Sequence, residues 1–136
     1  MISISKSYSF DSAHRLENPD WTQEENEAIF GKCFSKHGHT YKLTVEVAAV
    51  LDTETGMVLN YFDLDKIVKP IVETLDHEDL NKIFRNELGG RTTAENMVRE
   101  IRDRIEVYLE DRHPTVTLQS VTLQETPKTT AKWTRG

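Results

Sequence analysis

The segment Cys33-Phe34-Ser35-Lys36-His37-Gly38-His39 concentrates side chains that bind metals or act as nucleophiles. It runs directly into Tyr41-Lys42-Leu43-Thr44-Val45, where apolar and polar residues alternate as in a β-strand. Side chains two residues apart lie on the same face of a strand, so His37 and His39 can approach one ion. Gly38 keeps the opposite face clear for a ligand or another backbone. The pair predicts two ligands of a metal site, and a third ligand must come from elsewhere.

The N-terminal segment offers a third imidazole. Apolar residues at positions 2, 4, 8 and 10 alternate with polar ones and predict a half-buried strand. Continuing that alternation puts His14 on the face of Tyr8 and Phe10, which makes it the natural third ligand, although a single histidine at a strand end is more often a structural residue. The lone cysteine, Cys33, cannot form an internal disulfide. Beside histidines it is a candidate nucleophile or metal ligand, and the alternative is an inert buried thiol.

The spacing of apolar residues predicts the elements that position these side chains. After the first strand, residues 17–32 form a polar surface excursion with a short helix over residues 26–30. The second strand, from about residue 39 to 50, ends in a turn at residues 52–56, and residues 57–59 return as its hairpin partner.

Two helices follow. Apolar residues at spacings of three and four from Leu64 to Leu75 predict a helix capped by Asp63, with a kink at Pro70 and the proline on its outer side. Residues 82–91 are predicted to be a loop. The segment Thr92-Thr93-Ala94-Glu95 then matches a capping box, in which the Thr92 hydroxyl and the Glu95 carboxylate bind free amides at the start of the second helix.

Two last strands are predicted over residues 115–125 and 128–134, and in the first of them Val121, Leu123 and Glu125 share one face. Three strand segments, two helices and two strands imply an α+β fold, an antiparallel sheet with two helices on one face.

Composition limits the classes of function. A chain of 136 residues predicts one domain, residues 1–136, that can bury about two-thirds of its unfolded surface. The net charge is -6 and the lysines and arginines are scattered, which argues against nucleic acid or an anionic membrane and favours a small-molecule partner. No apolar run approaches the roughly 20 residues of a membrane span, and no signal peptide is apparent, so a cytoplasmic location is expected.

Six motifs in order span nearly the whole chain. They are Phe10-Asp11-Ser12-Ala13-His14-Arg15-Leu16, Cys33-x-x-x-His37-Gly38-His39, Gly56-Met57-Val58, Leu75-Asp76-His77-Glu78-Asp79-Leu80-Asn81, Thr92-Thr93-Ala94-Glu95-Asn96 and Glu125-Thr126. Together they resemble the 6-pyruvoyltetrahydropterin synthase / 6-carboxytetrahydropterin synthase family. The resemblance implies the tunnelling fold, in which subunits join their sheets into a β-barrel, and a homo-oligomer, a hexamer built as a dimer of trimers, with active sites at the subunit interfaces.

The resemblance also assigns roles to residues. It implies a Zn²⁺ ion bound by His14, His37 and His39, which leaves a fourth position open as in catalytic zinc sites. It makes Cys33 the base, with Asp76 and His77 as its proton-transfer partners.

Substrate contacts are implied as well. The acid that anchors the pterin ring maps to Glu125, which can accept two hydrogen bonds from the ring edge. Thr92, Thr93 and Glu95 lie where the family also approaches the pterin, although helix capping explains Thr92 and Glu95 without a substrate. For the phosphates the candidates are Arg15, Lys36, Lys42 and Lys128.

Two products are known in this family. The three residues between Cys33 and His37 are typical of the bacterial 6-carboxytetrahydropterin synthases of queuosine biosynthesis, whereas the pyruvoyl-forming enzymes usually carry five. The expected reaction converts 7,8-dihydroneopterin triphosphate to 6-carboxy-5,6,7,8-tetrahydropterin, acetaldehyde and triphosphate. Against this, residues 25–33 and 56–60 look more like the 6-pyruvoyltetrahydropterin synthases. A third reading is a structural zinc module without catalysis, closed by Cys33 as a fourth ligand.

Overall fold

The computed structural model describes all residues, Met1–Gly136. Its elements in chain order are β1 (Ile2–His14), α1 (Gln23–Phe30), a 3₁₀ turn (Gly31–Phe34), β2 (His37–Ala49), α2 (Tyr61–Leu75), α3 (Leu80–Ile83), α4 (Arg85–Leu88), α5 (Ala94–Arg112), β3 (Thr117–Thr126) and β4 (Thr129–Thr134). No helix in the structure is both long enough and apolar enough to cross a membrane.

The four strands form one antiparallel sheet in the order β1-β2-β3-β4. One face of the sheet carries apolar side chains, with Tyr8 opposite Leu43 and Leu43 opposite Leu123. The long helices α2 and α5 cover this face, and their apolar stripes join the strands in one buried core. The other face is largely serine, threonine and charged residues. The predicted α+β architecture, with two helices on one face of an antiparallel sheet, is confirmed.

Helix α2 is joined to β1 near both of its ends. Near its start, the buried Asp65 carboxylate accepts hydrogen bonds from the Tyr8 hydroxyl at 2.7 Å and from Lys6 Nζ at 2.9 Å. At its end, the Ser12 hydroxyl donates to the Leu75 carbonyl. These contacts set where the chain leaves the helix, and therefore where Asp76 is placed beside β1.

Two predicted boundaries around α2 are wrong. Residues 57–59 form no strand, because β2 is a central strand whose two edges are occupied by β1 and β3. The cap of α2 is Asn60, whose side chain accepts from the Phe62 amide at 2.9 Å, whereas Asp63 lies inside the first turn, where a carboxylate favours the helix dipole. Pro70 lies within the helix and is exposed, on the predicted outer side.

The segment before α5 also differs from its prediction. Part of the predicted loop over residues 82–91 is helical, since α3 ends at Ile83 and α4 follows it. The cap of α5 is Thr93, whose hydroxyl accepts from the Asn96 amide at 3.1 Å. The predicted capping box is therefore wrong: Thr92 is fully buried elsewhere, and Glu95 is an exposed residue of the first turn.

The alternation along β2 predicts that substitutions at neighbouring positions change the free energy of unfolding by very different amounts. Leu43 is fully buried, whereas Lys42 is exposed on the polar face. Leu43→Ala should lower the free energy of unfolding by about 2 to 5 kcal/mol, because it removes packed atoms and leaves a cavity. Lys42→Ala should change it by less than about 0.5 kcal/mol. Urea unfolding of both variants at one protein concentration checks this, and similar losses would contradict the assigned faces.

Candidate metal centre and active site

Three histidines meet where β1 and β2 lie side by side. His14 ends β1 and pairs in register with His37, the first residue of β2, while His39 lies two residues further along the same face. One ligand nitrogen from each ring lies within 4.8 Å of the others. Because the three rings come from two neighbouring strands, the sheet itself holds them close enough to share one metal ion.

Hydrogen bonds at the far side of two rings orient them toward each other. His14 Nδ1 lies 2.9 Å from the Thr92 carbonyl oxygen and 3.2 Å from the Thr92 hydroxyl, and His37 Nδ1 lies 2.7 Å from the Ser35 carbonyl oxygen. A carbonyl only accepts, so Nδ1 carries the proton in both rings and Nε2 keeps its electron pair. This is the usual arrangement of metal-binding histidines.

His39 supplies the clearest sign of a missing partner. Its Nε2 atom is buried and has no hydrogen bond. The nearest acid, Glu125, has one oxygen 3.5 Å away, within reach of an ion pair but without hydrogen-bond geometry. An unpartnered buried polar atom calls for an explanation, and a metal ion bound by three imidazoles would satisfy it.

Electrostatics keep these rings neutral. Burial lowers the pKa of His14 to about 4, and the neighbouring His37, His39 and Lys36 add to this, while the hydrogen bond to Thr92 acts in the opposite direction. Burial also lowers the pKa of His39, more than the nearby Glu125 raises it. Neutral imidazoles have a free electron pair for a metal, so both rings are ready to bind one at neutral pH.

Cys33 lies apart from the metal-binding atoms. It is exposed on the 3₁₀ turn before β2, and its carbonyl accepts from the Leu16 amide at 2.7 Å, which holds this turn beside the end of β1. Its sulfur does not belong to the cluster of the three histidines. A closed site of three histidines and one cysteine is therefore not formed, and the thiol remains free at the rim.

Asp76 and His77 form a second unit at the outer edge of β1. His77 is the only residue other than glycine with a positive φ, 59°, a conformation that costs energy and is often found at functional sites. Its amide donates to the Asp11 carbonyl at 2.6 Å, and Asp76 accepts from the Asp11 amide at 2.9 Å. These two bonds hold the strained residue in place.

The same aspartate orients the imidazole of His77. Asp76 Oδ2 lies 2.9 Å from His77 Nδ1, while the His77 side chain is 79% exposed. The hydrogen bond to Asp76, and then its charge, raise the pKa of His77; the hydrogen bonds from Asp11 and from His77 lower the pKa of Asp76. His77 is thus a protonated imidazole over a wider pH range than usual, facing solvent and suited to donating a proton.

The predicted substrate residues separate into two groups. Glu125 reaches the histidine cluster, as its strand face predicts, and Thr92 orients His14. Thr93 caps α5 and Glu95 is exposed, and neither contacts the histidines. One neighbour was not singled out: the buried hydroxyl of Tyr41 lies 3.3 Å from His14 Nε2. Its position two residues after His39 on the same strand face was the available signal.

Within this chain the thiol and the acid–base pair do not meet. No hydrogen bond joins Cys33 to Asp76 or His77, and the two units lie on different sides of the end of β1. A cavity of about 630 Å³ is lined by His77 and His39 together with Asp11 and Thr40. Of the three clustered histidines only His39 lines this cavity, and it does so beside His77.

Known proteins resemble the chain over almost its whole length. The model of the family described as 6-pyruvoyl tetrahydropterin synthase matches residues 3–135. A Drosophila melanogaster relative named 6-pyruvoyl tetrahydrobiopterin synthase is 34% identical over 128 residues, 92% of this chain and 74% of its own. A Haemophilus influenzae relative named 6-carboxy-5,6,7,8-tetrahydropterin synthase is 33% identical over 148 residues, 93% and 94% of the two chains. The structure of Caenorhabditis elegans 6-pyruvoyl tetrahydropterin synthase matches with a TM-score of 0.88 and 28% identity, covering 99% of this chain and 96% of that one.

The geometry predicts which histidine substitution removes the metal. His37→Ala deletes one of three ligands, so metal affinity should fall by roughly 100-fold or more, since loss of an outer hydrogen-bond partner alone typically costs 10- to 100-fold. His77→Ala is the matched control, because it removes an imidazole outside the cluster. Titration of both metal-free variants with Co²⁺, followed by absorbance, measures the difference. Equal affinity in the two variants would contradict the assigned cluster.

Proposed function

The chain belongs to the 6-pyruvoyl tetrahydropterin synthase family, and we propose that it is a zinc-dependent pterin synthase that acts on 7,8-dihydroneopterin triphosphate. The observation that carries this proposal is the cluster of three histidines with one unpartnered nitrogen, placed directly beside the Glu125 carboxylate. A metal ligand set and an acid that can bind a ring edge lie together, which suits a substrate with a pterin ring and a hydroxylated side chain.

Of the two products, we favour 6-carboxy-5,6,7,8-tetrahydropterin, formed with uptake of one water molecule and release of acetaldehyde and triphosphate. The three residues between Cys33 and His37 support this choice. These three residues form a short connection between the 3₁₀ turn and β2, and the Ser35 carbonyl within it accepts a hydrogen bond from the His37 ring at 2.7 Å. The alternative product, 6-pyruvoyltetrahydropterin, is supported by the names of several relatives and by the motif Gly56-Met57-Val58.

Each of these side chains would have its own role in the reaction. Glu125 would accept two hydrogen bonds from the pterin ring and so fix its position against the metal centre. A zinc ion held by the three imidazoles would act as a Lewis acid toward the side-chain hydroxyls, making their protons easier to remove. Cys33 would accept a proton from the side chain of the substrate. His77, kept protonated by Asp76, would donate one and take one back.

The placement of these groups supports an active site shared between subunits. Cys33 and His77 are both exposed and are not brought together within one chain. The strands β1 and β4 are the edges of the sheet, and exposed edges are ready to pair with another chain unless they are covered. We propose that subunits pair these edges into a closed β-barrel, in a hexamer built as a dimer of trimers, and that this brings His77 of one copy to Cys33 of another.

Product analysis tests the function directly. The purified protein, loaded with Zn²⁺, is incubated with 7,8-dihydroneopterin triphosphate, and the released fragments are identified by mass spectrometry. Triphosphate together with acetaldehyde supports the carboxy product. Triphosphate with a pyruvoyl pterin and no acetaldehyde supports the alternative. An unchanged substrate with a fully metal-loaded protein would overturn the proposed function.

Glu125 should be essential for binding the ring but not for binding metal. Glu125→Gln keeps the shape of the side chain but replaces one acceptor by a donor that faces a donor of the ligand. The loss should be about 2 to 4 kcal/mol, or roughly 30- to 1000-fold in pterin affinity. Calorimetry at equal zinc content measures it, with Glu110→Gln on the exposed side of α5 as the control. Affinities within a factor of three of each other would remove Glu125 as the anchor.

A shared site predicts that two inactive variants restore activity when mixed. Cys33→Ala and His77→Ala should each be inactive. In oligomers assembled at random from equal amounts of both, about a quarter of the interfaces unite an intact thiol with an intact imidazole. Co-refolding the two variants should therefore recover about a quarter of wild-type activity, while the double variant Cys33→Ala/His77→Ala recovers none. Absence of any recovery in verified mixed oligomers would place both groups in one chain's site.

A further inference from the structure

A polar cavity beside the metal centre contains neither the clustered histidines nor the Asp76–His77 pair. Its volume is about 440 Å³, in the range of ligand pockets, and none of its lining residues is hydrophobic. Four lining side chains are cationic and two are acidic: Arg15, Lys36, Lys82 and Arg85 against Glu17 and Asp79. The whole chain carries a net charge of -6, so this excess of positive charge runs against the trend of the protein.

Two of the four cations are unpaired. Arg15 pairs with Glu17 at 2.8 Å, and Lys36 pairs with Asp79 at 2.8 Å. Lys82 and Arg85 make neither an ion pair nor a side-chain hydrogen bond, although they lie close together on α3 and α4. Both acids of the cavity are thus already compensated, and two positive charges remain free for a ligand with several negative charges.

The wall of the cavity is shaped by a glycine backbone conformation and by the side chain of one asparagine. Gly90 has a positive φ of 74°, and a Cβ atom there would stand 3.6 Å from the Asn81 carbonyl oxygen and 3.9 Å from Glu17 Oε1. The Asn81 side chain donates to the carbonyls of Gly90 at 2.8 Å and of Arg15 at 2.9 Å. One amide therefore ties together the two backbone segments that border the cavity, which preorganises it for a ligand.

The cavity begins next to the metal centre. Arg15 directly follows His14, and Lys36 directly precedes His37, so each lies one Cα step of about 3.8 Å from a member of the cluster. Thr92, only two residues beyond Gly90, accepts from His14. The cavity is therefore bordered by the residues that directly adjoin His14 and His37 in the chain.

We propose that this cavity binds the triphosphate group of the substrate, with Lys82 and Arg85 as the free cations that recognise it. The identity of the triphosphate as part of a pterin substrate rests on the proposed function; the affinity for a polyphosphate does not. Two other phosphate candidates from the sequence lie away from this cavity. Lys42 lies on the polar face of the sheet, and Lys128 lies in the turn between β3 and β4; neither lines the cavity.

Inorganic triphosphate is the direct probe of the cavity. We expect the double variant Lys82→Gln/Arg85→Gln to bind it about 10- to 100-fold more weakly than the wild type, because charge-assisted contacts to phosphate are lost. Calorimetry at equal zinc content makes the comparison, so that any contact between triphosphate and zinc is the same in both proteins. The matched control is Lys66→Gln/Arg99→Gln, which removes the same charges from exposed helix positions and should stay within threefold of the wild type. Equal affinity in the Lys82/Arg85 variant and the wild type overturns the assignment.

Turnover separates this inference from the proposed function. With 7,8-dihydroneopterin triphosphate, the KM of the Lys82→Gln/Arg85→Gln variant should be about 10- to 100-fold higher than that of the wild type, and its kcat should stay within threefold. The reason is that these residues contact the phosphates and not the reacting carbons. An unchanged KM in an active protein overturns the cavity assignment while the function stands. In a third outcome, the wild type binds triphosphate more tightly than the Lys82→Gln/Arg85→Gln variant but does not turn over the pterin. This outcome supports the cavity assignment and overturns the proposed function.

Discussion

The candidate site depends on the register between β1 and β2. In this register His14 stands opposite His37, and the same ladder places Tyr8 opposite Leu43 in the core. A slip of one residue would turn one strand's side chains to the other face, so it would expose the core and separate the histidines at once. The free energy of core burial therefore also maintains the positions of the three histidines, while hydrogen bonds to Thr92 and Ser35 orient two of their rings.

The end of β1 joins two chemically different groups of residues. On the inner face His14 is fully buried and its pKa is lowered, which favours the neutral imidazole. At the outer edge His77 is largely exposed, and its pKa is raised by Asp76. Burial and an adjacent carboxylate thus shift the pKa values of two imidazoles held against one strand in opposite directions.

The short helices after α2 organise the surroundings of the site. Asp79 caps α3 and also pairs with Lys36, while Asn81 binds the backbone on both sides of the polar cavity. These contacts connect α3, the residues just before β2 and the Gly90 segment into one wall. The side chains that would bind an anion are thereby held next to those that would bind a metal.

Local periodicity in the sequence was enough to predict the inward faces of β1, β2 and β3, the two long helices, the common direction of His14, His37 and His39, and the shared face of Val121, Leu123 and Glu125. The reason is that side-chain direction in a strand depends only on position along it. It failed where a long-range contact decided the outcome. Residues 57–59 could not pair with β2 because β3, far along the chain, occupies that edge. Thr92 orients His14 instead of capping a helix. Lys82 and Arg85 line the same cavity as Arg15, although nearly 70 positions of sequence separate them from it. Only tertiary packing brings such distant segments together, since it is the burial of the whole core, and not any local pattern, that selects them as neighbours.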